Sequence, residues 1–136
     1  MAGRGPLPID FGSPMAEAVE VRLELEGHRF FPGDPVVLSL RVRNGTDAPT
    51  VLTWPTTQRY EFVVERAGQR VWTWSEGRAF AEMLVDQTLG PRAETVFREV
   101  WRTADPGRYR ARGILTSAPP RASAWVDFEV VPEPME

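Results

Sequence analysis

One segment, residues 58–80, constrains the fold more than any other, because its pattern is typical of a β-hairpin with an aromatic face. Two alternating runs flank the tripeptide Arg66-Ala67-Gly68, and their apolar positions are Tyr60, Phe62, Val64, Trp72 and Trp74. Gly68 can adopt the left-handed conformation that closes a three-residue loop, whereas a two-residue turn needs a positive φ at Ala67, which a side chain disfavours. We therefore predict the three-residue loop, with Tyr60 opposite Trp74 and Phe62 opposite Trp72.

This register gives the hairpin one aromatic face, while Glu61, Val63 and Glu65 lie on the other face. Exposed tryptophan rings could serve as platforms for sugars, as in a carbohydrate-binding module. Burial of a large apolar ring, however, contributes roughly 1.5 to 3 kcal/mol or more to stability. We therefore expect Trp72 and Trp74 to lie in the core.

The other three tryptophans lie outside the hairpin. Trp101 is expected in the core, whereas Trp54 could lie in the core or at the surface. Trp125 alternates with Ser123, Asp127 and Glu129 on the predicted polar face of the last strand, whose other face is apolar. Of all the aromatic residues, Trp125 is therefore the one that we expect to be exposed or at an interface.

Alternation with a period of two residues continues through the rest of the chain. Beyond the hairpin, we predict strands at residues 19–25, 36–43, 51–54, 82–89, 94–103, 108–116 and 122–131. The pattern at 82–89 is the weakest, because Met83, Leu84 and Val85 run together where a single helical turn could form. Eight or nine short strands with Gly, Pro and Asn between them predict an all-β fold, an immunoglobulin-like antiparallel β-sandwich.

Length and composition fit one domain in a reducing compartment. A chain of 136 residues fits a single core. We expect residues 1–17 to be a flexible leader, residues 18–132 to be the sandwich and residues 133–136 to be a tail. Cysteine is absent, and residues 1–17 lack the apolar run of a secretory signal, so we expect a cytoplasmic protein. No window is apolar enough to cross a membrane.

The charged and titratable residues argue against nucleic-acid binding and against catalysis. The net charge is −3, and the sixteen arginines are scattered among acidic residues. His28 is the only histidine, no serine lies in a Gly-x-Ser-x-Gly motif, and no calcium loop or glycine-rich phosphate loop is present. We therefore expect a protein that is not an enzyme, that needs no metal or cofactor, and that binds another protein.

An ordered series of short motifs lies between residues 36 and 115. The motifs are Leu40-Arg41-Val42-Arg43-Asn44, Gln58-Arg59-Tyr60-Glu61-Phe62, Val71-Trp72-Thr73-Trp74-Ser75, Phe80, Leu89-Gly90-Pro91, Val100-Trp101, Gly107-Arg108-Tyr109 and Gly113-Ile114-Leu115. In their order and spacing, these motifs resemble the bacterial intracellular proteinase inhibitor family, the BsuPI-type domain. One departure is Gly90-Pro91-Arg92, where the family usually has a Pro-Gly turn. The resemblance implies an immunoglobulin-like sandwich and a cytoplasmic inhibitor of a subtilisin-type serine protease.

An inhibitory loop would occupy the protease cleft as an extended strand. Such clefts favour apolar side chains at the position before the scissile bond and three residues upstream, and Phe80 and Met83 have this spacing. We therefore predict a contact segment that contains Arg78, Phe80, Met83 and Leu84. The opposite interpretation is that Phe80 and Leu84 anchor this segment in the core.

Several alternatives stay open at this point. Residues 54–57 and 119–121 form rival contact loops. The domain could also be an immunoglobulin-like interaction or assembly domain without inhibitory activity, or, third, a carbohydrate-binding module. The sequence leaves the oligomeric state open.

Overall fold

Eleven β-strands form along the part of the chain that the structure, a computed structural model, describes: residues 18–103 and 105–134. They are β1 (Val19–Leu25), β2 (Arg29–Phe30), β3 (Pro35–Asn44), β4 (Thr50–Trp54), β5 (Tyr60–Arg66), β6 (Gln69–Thr73), β7 (Val85–Leu89), β8 (Glu94–Arg102), β9 (Gly107–Leu115), β10 (Arg121–Ala122) and β11 (Val126–Val130). These residues contain no helix, which confirms the all-β prediction and rejects the helical turn considered near Met83. The strands that the prediction missed are β2 and a separate β10, each only two residues long. The predicted leader lies outside the described residues.

The strands form two main sheets that pack face to face as an immunoglobulin-like sandwich. One sheet has the order β1-β3-β8, the other has the order β2-β11-β9-β5-β6 with β10 paired to β9, and β4 and β7 form a separate ladder. All pairs are antiparallel except β2 with β11. At Gly113 the sheets are so close that an added Cβ atom would lie 2.7 Å from Cδ1 of Leu40. Any side chain at this position would collide with Leu40.

Apolar side chains from both sheets fill the space between them. Side chains with no solvent exposure include Val36, Leu38, Leu40, Val42, Trp54, Phe62, Val64, Ala111 and Leu115. Trp54, whose side the sequence left open, is therefore a core residue, and its Nε1 donates a hydrogen bond to the Arg59 carbonyl oxygen at 2.9 Å. At the start of β9, the Tyr109 hydroxyl donates to the Asp105 carbonyl oxygen at 2.6 Å. This contact is the tyrosine corner of immunoglobulin-like sandwiches.

One buried side chain joins the end of β3 to the β4–β7 ladder. The two N–H groups of Asn44 Nδ2 donate to three carbonyl oxygens, those of Ala48, Leu89 and Gly90, at 2.7, 3.0 and 3.0 Å, so that one N–H is shared between two acceptors. The Gly45 amide donates to the Ala18 carbonyl oxygen at 2.7 Å. The connection after β3 is therefore organised by the side chain of Asn44 and by the backbone before β1.

The hairpin turn differs from the prediction. Ala67 and Gly68 have φ angles of 52° and 78°, so the connection is a two-residue turn in which Ala67 does adopt the left-handed conformation. Arg66 pairs with Gln69, directly across this turn. The predicted three-residue loop is therefore wrong.

A bulge then changes the hairpin register. The register shifts between Val64 and Glu65, which leaves Val71 as an extra residue in β6, and Val64 lies opposite Trp72. The predicted pairing of Phe62 with Trp72 is therefore wrong by two residues. A shift of two residues preserves the faces, however, and Phe62 and Trp74 are both buried in the core.

The last predicted strand is interrupted. In β10, Arg121 pairs with Leu115, whereas in β11 Val126 pairs with Ala111, so the register changes by one residue between the two strands. Ser123 lies in this interruption and is buried, with its hydroxyl accepting a hydrogen bond from the Gly113 amide at 3.1 Å. The prediction that Ser123 lies on an exposed polar face was wrong, because the one-residue change of register reverses which side chains face inward.

Candidate functional site

The predicted contact segment and its two rival loops lie together at one end of the sandwich. The Ala118 amide donates to the Thr53 carbonyl oxygen at 2.9 Å, which joins the loop after β9 to the end of β4. The Thr57 amide donates to the Ala81 carbonyl oxygen at 3.0 Å, and the Ala81 amide donates to the Thr57 hydroxyl at 2.9 Å. Residues 55–58, 78–84 and 117–120 are termed the loop surface below.

The loop surface carries a group of exposed apolar side chains larger than alanine. They are Pro55, Met83, Leu84, Pro119 and Pro120. Leu84 is 74% exposed and Met83 is 57% exposed, immediately before β7 begins at Val85. Groups of exposed apolar side chains on a small protein are typical of surfaces that bind another protein.

A row of aromatic rings connects the 78–84 segment to the core. The ring centroids are 4.9 Å apart for Phe97 and Tyr60, 4.6 Å for Tyr60 and Trp74, and 5.9 Å for Trp74 and Phe80. Phe97 and Tyr60 belong to the two facing sheets, so the row begins between the sheets and ends in the loop. These four residues are termed the aromatic row.

The turn before the segment is held by Glu61 and Arg78. The Glu61 carboxylate accepts hydrogen bonds from the Ser75 amide, at 3.0 Å, and from the Ser75 hydroxyl. Nε of Arg78 donates to the Trp74 carbonyl oxygen at 2.9 Å, and its guanidinium carbon lies 4.3 Å from the Trp74 ring centroid. The backbone from Ser75 to Arg78 is therefore fixed against β5 and against Trp74.

The predicted contact residues fall into two groups. Arg78 and Phe80 both contact Trp74 and thereby position the segment. Met83 and Leu84 are exposed. The alternative interpretation was that Phe80 and Leu84 anchor the segment in the core. It agrees with half-buried Phe80 and disagrees with exposed Leu84. Sequence reasoning did not single out Thr57 as the residue that fixes Ala81, because an isolated threonine in a loop carries no distinguishing signal.

Tyr60 is the titratable side chain of the aromatic row. Its hydroxyl donates a hydrogen bond to the Glu99 carboxylate on β8. Burial, together with the hydrogen bond and the negative charge of Glu99, raises the pKa of Tyr60 to about 12. The phenol is therefore protonated at neutral pH, where it acts as a structural hydrogen-bond donor across the two sheets.

Trp125 lies away from the loop surface, on the outer face of the six-stranded sheet. Its ring is half-buried next to two guanidinium groups, with those of Arg110 and Arg112 at 4.0 and 4.5 Å from the ring centroid. An interface role for Trp125 stays a prediction. All five tryptophans are buried or half-buried, so they do not form an open platform for sugars.

The described residues give no support to a metal site or a membrane span. Within residues 18–103 and 105–134, no group of three His, Cys, Asp or Glu side chains could hold a metal ion. The same residues include no helix long and apolar enough to cross a membrane.

Three solved structures share this fold at low sequence identity. A cycloisomaltooligosaccharide glucanotransferase from Paenibacillus sp. has a TM-score of 0.54 at 19% identity, over 83% of this chain and 14% of that one. The alkylpurine DNA glycosylase AlkC from Pseudomonas fluorescens has a TM-score of 0.51 at 14% identity, over 84% of this chain and 30% of that one. The CARDB domain of the PF1109 protein from Pyrococcus furiosus has a TM-score of 0.52 at 16% identity, over 85% of this chain and 94% of that one. This chain spans less than a third of the first two proteins, and the likeness concerns the fold alone.

The family assignment comes from the sequence. No curated protein matches the chain. The sequence profile of BsuPI, the intracellular proteinase inhibitor family, matches residues 23–120. The match extends from β1 to the loop after β9, and it includes the hairpin and the whole loop surface. The chain therefore belongs to the BsuPI family of intracellular proteinase inhibitors.

Proposed function

We propose that this protein inhibits a subtilisin-type serine protease in the cytoplasm by binding it non-covalently through the loop surface. The observation that supports this best is the exposure of Met83 and Leu84 on a segment that is fixed at both ends. Phe80 and Ala81 fix one end, through Trp74 and Thr57, and β7 fixes the other from Val85 onward.

The segment suits a cleft that accepts an extended chain. Proteases bind such chains by pairing with the main chain, while pockets accept alternate side chains. Residues 79–84 have no regular secondary structure, and Ala81 is bonded to Thr57, so we propose that the main chain of residues 82–84 makes this pairing. Adjacent side chains of an extended chain point to opposite sides, so Met83 enters a pocket and Leu84 packs on the rim of the cleft.

Anchoring of the segment lowers the cost of binding. Each flexible side chain that becomes ordered in a complex costs about 0.5 to 1.5 kcal/mol, and a mobile loop adds to this cost. In this protein, Thr57 and the aromatic row already hold the segment in place. Arg78 and Phe80 are therefore positioning residues, and Met83 and Leu84 supply the contact, supported by the neighbouring prolines of the loop surface.

Inhibition of a subtilisin-type protease by the double variant Met83→Ala/Leu84→Ala tests the proposal. Loss of two central contact side chains is expected to raise the inhibition constant on the order of a hundredfold or more. Val71→Ala/Val100→Ala is a matched control, because these valines are 45% and 50% exposed but lie on β6 and β8. Undiminished inhibition by a folded Met83→Ala/Leu84→Ala variant would remove this segment as the contact.

A panel of serine proteases tests the choice of target. We expect inhibition of subtilisin-type enzymes and none of trypsin-like enzymes. Inhibition of trypsin-like enzymes alone would reject the subtilisin-type target. If every protease stays active while another protein co-purifies with the chain, the domain is an interaction domain without inhibitory activity.

A further inference from the structure

Strand β1 has an open edge. Among the described residues it pairs with β3 alone, in unbroken register from Val19 to Leu25. The Gly45 amide bonds to the Ala18 carbonyl. In this antiparallel register, the backbone groups of Glu20 and Arg22 face β3, and those of Val21 face outward, as do those of the residues two positions away. Such an edge is a template for another strand.

The other outer strands of the two main sheets carry features that hinder pairing. Strand β2 has only two residues, and β6 contains the bulge at Val71. Strand β8 carries the Glu99 carboxylate on its core-facing side, where it binds Tyr60. Short edges, bulges and inward charges all oppose the addition of a strand. Strand β1 has seven residues without a bulge, a proline or an inward charge.

The charges of β1 complement those of a second β1. Glu20, Arg22 and Glu24 alternate in sign along the strand. If two copies pair antiparallel with Val21 opposite Val21 of the partner subunit, Glu20 lies opposite Arg22 of the partner subunit. A register centred on Arg22 would instead place the two arginines together, which is unfavourable.

The state of the side chains favours the register centred on Val21. The side chains of Glu20 and Arg22 are 61% and 73% exposed, and each makes one long ion pair within the chain, Glu20 with Arg43 at 3.4 Å and Arg22 with Glu24 at 3.2 Å. Glu24 is held more closely, because it also accepts a hydrogen bond from Arg41 at 2.7 Å. The pairing of Glu20 with Arg22 therefore costs less reorganisation than a pairing that uses Glu24.

A groove of about 740 Å³ lies beside the same stretch of β1. Its lining combines the apolar residues Val21 and Leu23 of β1 and Ala124 and Val126 with charged side chains of β1, β3 and β8, namely Glu20, Arg22, Arg41, Arg43 and Glu94. Residues opposite each other in a sheet share a face, so the apolar side chains of a second β1 would lie on this side and enter the groove. The edge therefore offers a partner strand both backbone partners and apolar surface.

We propose that a second copy of this chain docks here, by antiparallel pairing of β1 with β1 about a twofold axis at Val21. The two three-stranded sheets then become one continuous sheet. Strands β1 and β8 are the two opposite edges of the three-stranded sheet, and the aromatic row lies at the β8 edge, where β8 faces β5. Pairing at the β1 edge therefore leaves both loop surfaces of the dimer accessible. This dimer does not depend on the proposed inhibition.

Sedimentation equilibrium of the full chain tests the dimer. Wild type is expected to show a concentration-dependent dimer, and Arg22→Glu and Glu20→Arg are each expected to raise its dissociation constant about tenfold. The combined variant E20R/R22E should restore the wild-type constant, because the two charges exchange places. Arg70→Glu, an equivalent charge reversal on the edge strand β6, is the matched control and should leave the dimer unchanged.

A second variant tests the backbone contact. Val21→Pro removes an amide that faces outward, so β1 keeps its pairing with β3 and the dimer is lost. A protein that is monomeric at every concentration would overturn the proposal, as would a dimer that Arg22→Glu does not weaken. Rescue by R22E/E24R in place of E20R/R22E would overturn the register at Val21.

Discussion

The aromatic row and the pair Met83 and Leu84 are close in the chain but differ completely in environment. Trp74 is 9% exposed and lies between Tyr60 and Phe80, whereas Leu84 is 74% exposed. Both regions are apolar, yet only the first loses its surface to other parts of the same molecule. The comparison separates apolar residues that stabilise the fold from apolar residues available to a partner.

This difference predicts opposite trends along the segment. The free energy of unfolding lost on substitution should fall from Trp74 through Phe80 to Leu84, as burial decreases. The loss of inhibition caused by removing a direct contact with the protease should instead increase from Trp74 through Phe80 to Leu84. Four substitutions, ordered from the largest expected effect on stability to the smallest, test whether the two regions are separate.

Trp74→Ala should have the largest effect. It removes a buried ring from the middle of the aromatic row and is expected to lower the free energy of unfolding by about 3 to 5 kcal/mol. Urea denaturation measures the change. Trp74→Phe is the control, because it retains a ring, and should cost clearly less. A loss below about 1 kcal/mol for Trp74→Ala would show that the row does not stabilise the fold.

Phe80→Ala should have an intermediate effect, because its ring is half-buried against Trp74. We expect a loss of about 1 to 2 kcal/mol in the free energy of unfolding, together with weaker inhibition as the segment loses its anchor. Phe80→Leu retains much of the apolar contact and should inhibit almost as wild type does. Weak inhibition by a stable Phe80→Leu variant would instead place the ring itself in the protease contact.

Tyr60→Phe should cost about 1 to 2 kcal/mol, because it removes the hydrogen bond to the Glu99 carboxylate. The cost also depends on pH. The pKa of Tyr60 is about 12 in the folded protein against a reference value of 10.0, so between these values the unfolded state loses the proton first and wild type loses stability as pH rises. Tyr60→Phe lacks this titration. Urea denaturation of both proteins at a series of pH values should therefore show a difference in the free energy of unfolding that is constant below pH 10 and narrows above it. A difference that widens above pH 10 would contradict the raised pKa.

Met83→Ala/Leu84→Ala should have the smallest effect on stability. Both side chains are exposed, so the free energy of unfolding should stay within about 0.5 kcal/mol of wild type. Thermal or urea unfolding of the variant used in the inhibition assay provides the measurement. A loss of 2 kcal/mol or more would mean that these residues belong with the aromatic row, and the distinction between the regions would fail.

The sequence predicted the fold where the alternation of side chains decides it. Strands β1 and β3 lie where the period-two runs predicted them, since each has one face turned to the core. The hairpin shows why faces are easier to predict than turns. A two-residue turn alone would have placed Trp72 opposite Val63 on the wrong face, and the extra residue Val71 restores the aromatic face. Burial of the rings is worth more than an unbroken β-ladder.

The loop surface was harder to predict. Its three loops are far apart in the sequence and are joined by a few hydrogen bonds, such as the one from Ala118 to Thr53 and the two between Ala81 and Thr57. No local pattern records such contacts. The sequence therefore suggested the 78–84 segment and its rivals as alternatives, whereas the structure makes them neighbours. The burial of Ser123 was missed for a similar reason, because a one-residue change of register reverses the alternation between β10 and β11.

The buried side chain of Asn44 affects the chemical lifetime of the protein. An asparagine followed by glycine is the pair most prone to deamidation, which begins when the glycine amide nitrogen attacks the asparagine side-chain carbonyl. Here the Asn44 amide group is held by three carbonyl oxygens, and the Gly45 nitrogen is bonded to Ala18. Neither group can turn toward the other without breaking these bonds, so the folded chain resists this form of ageing while the unfolded chain does not.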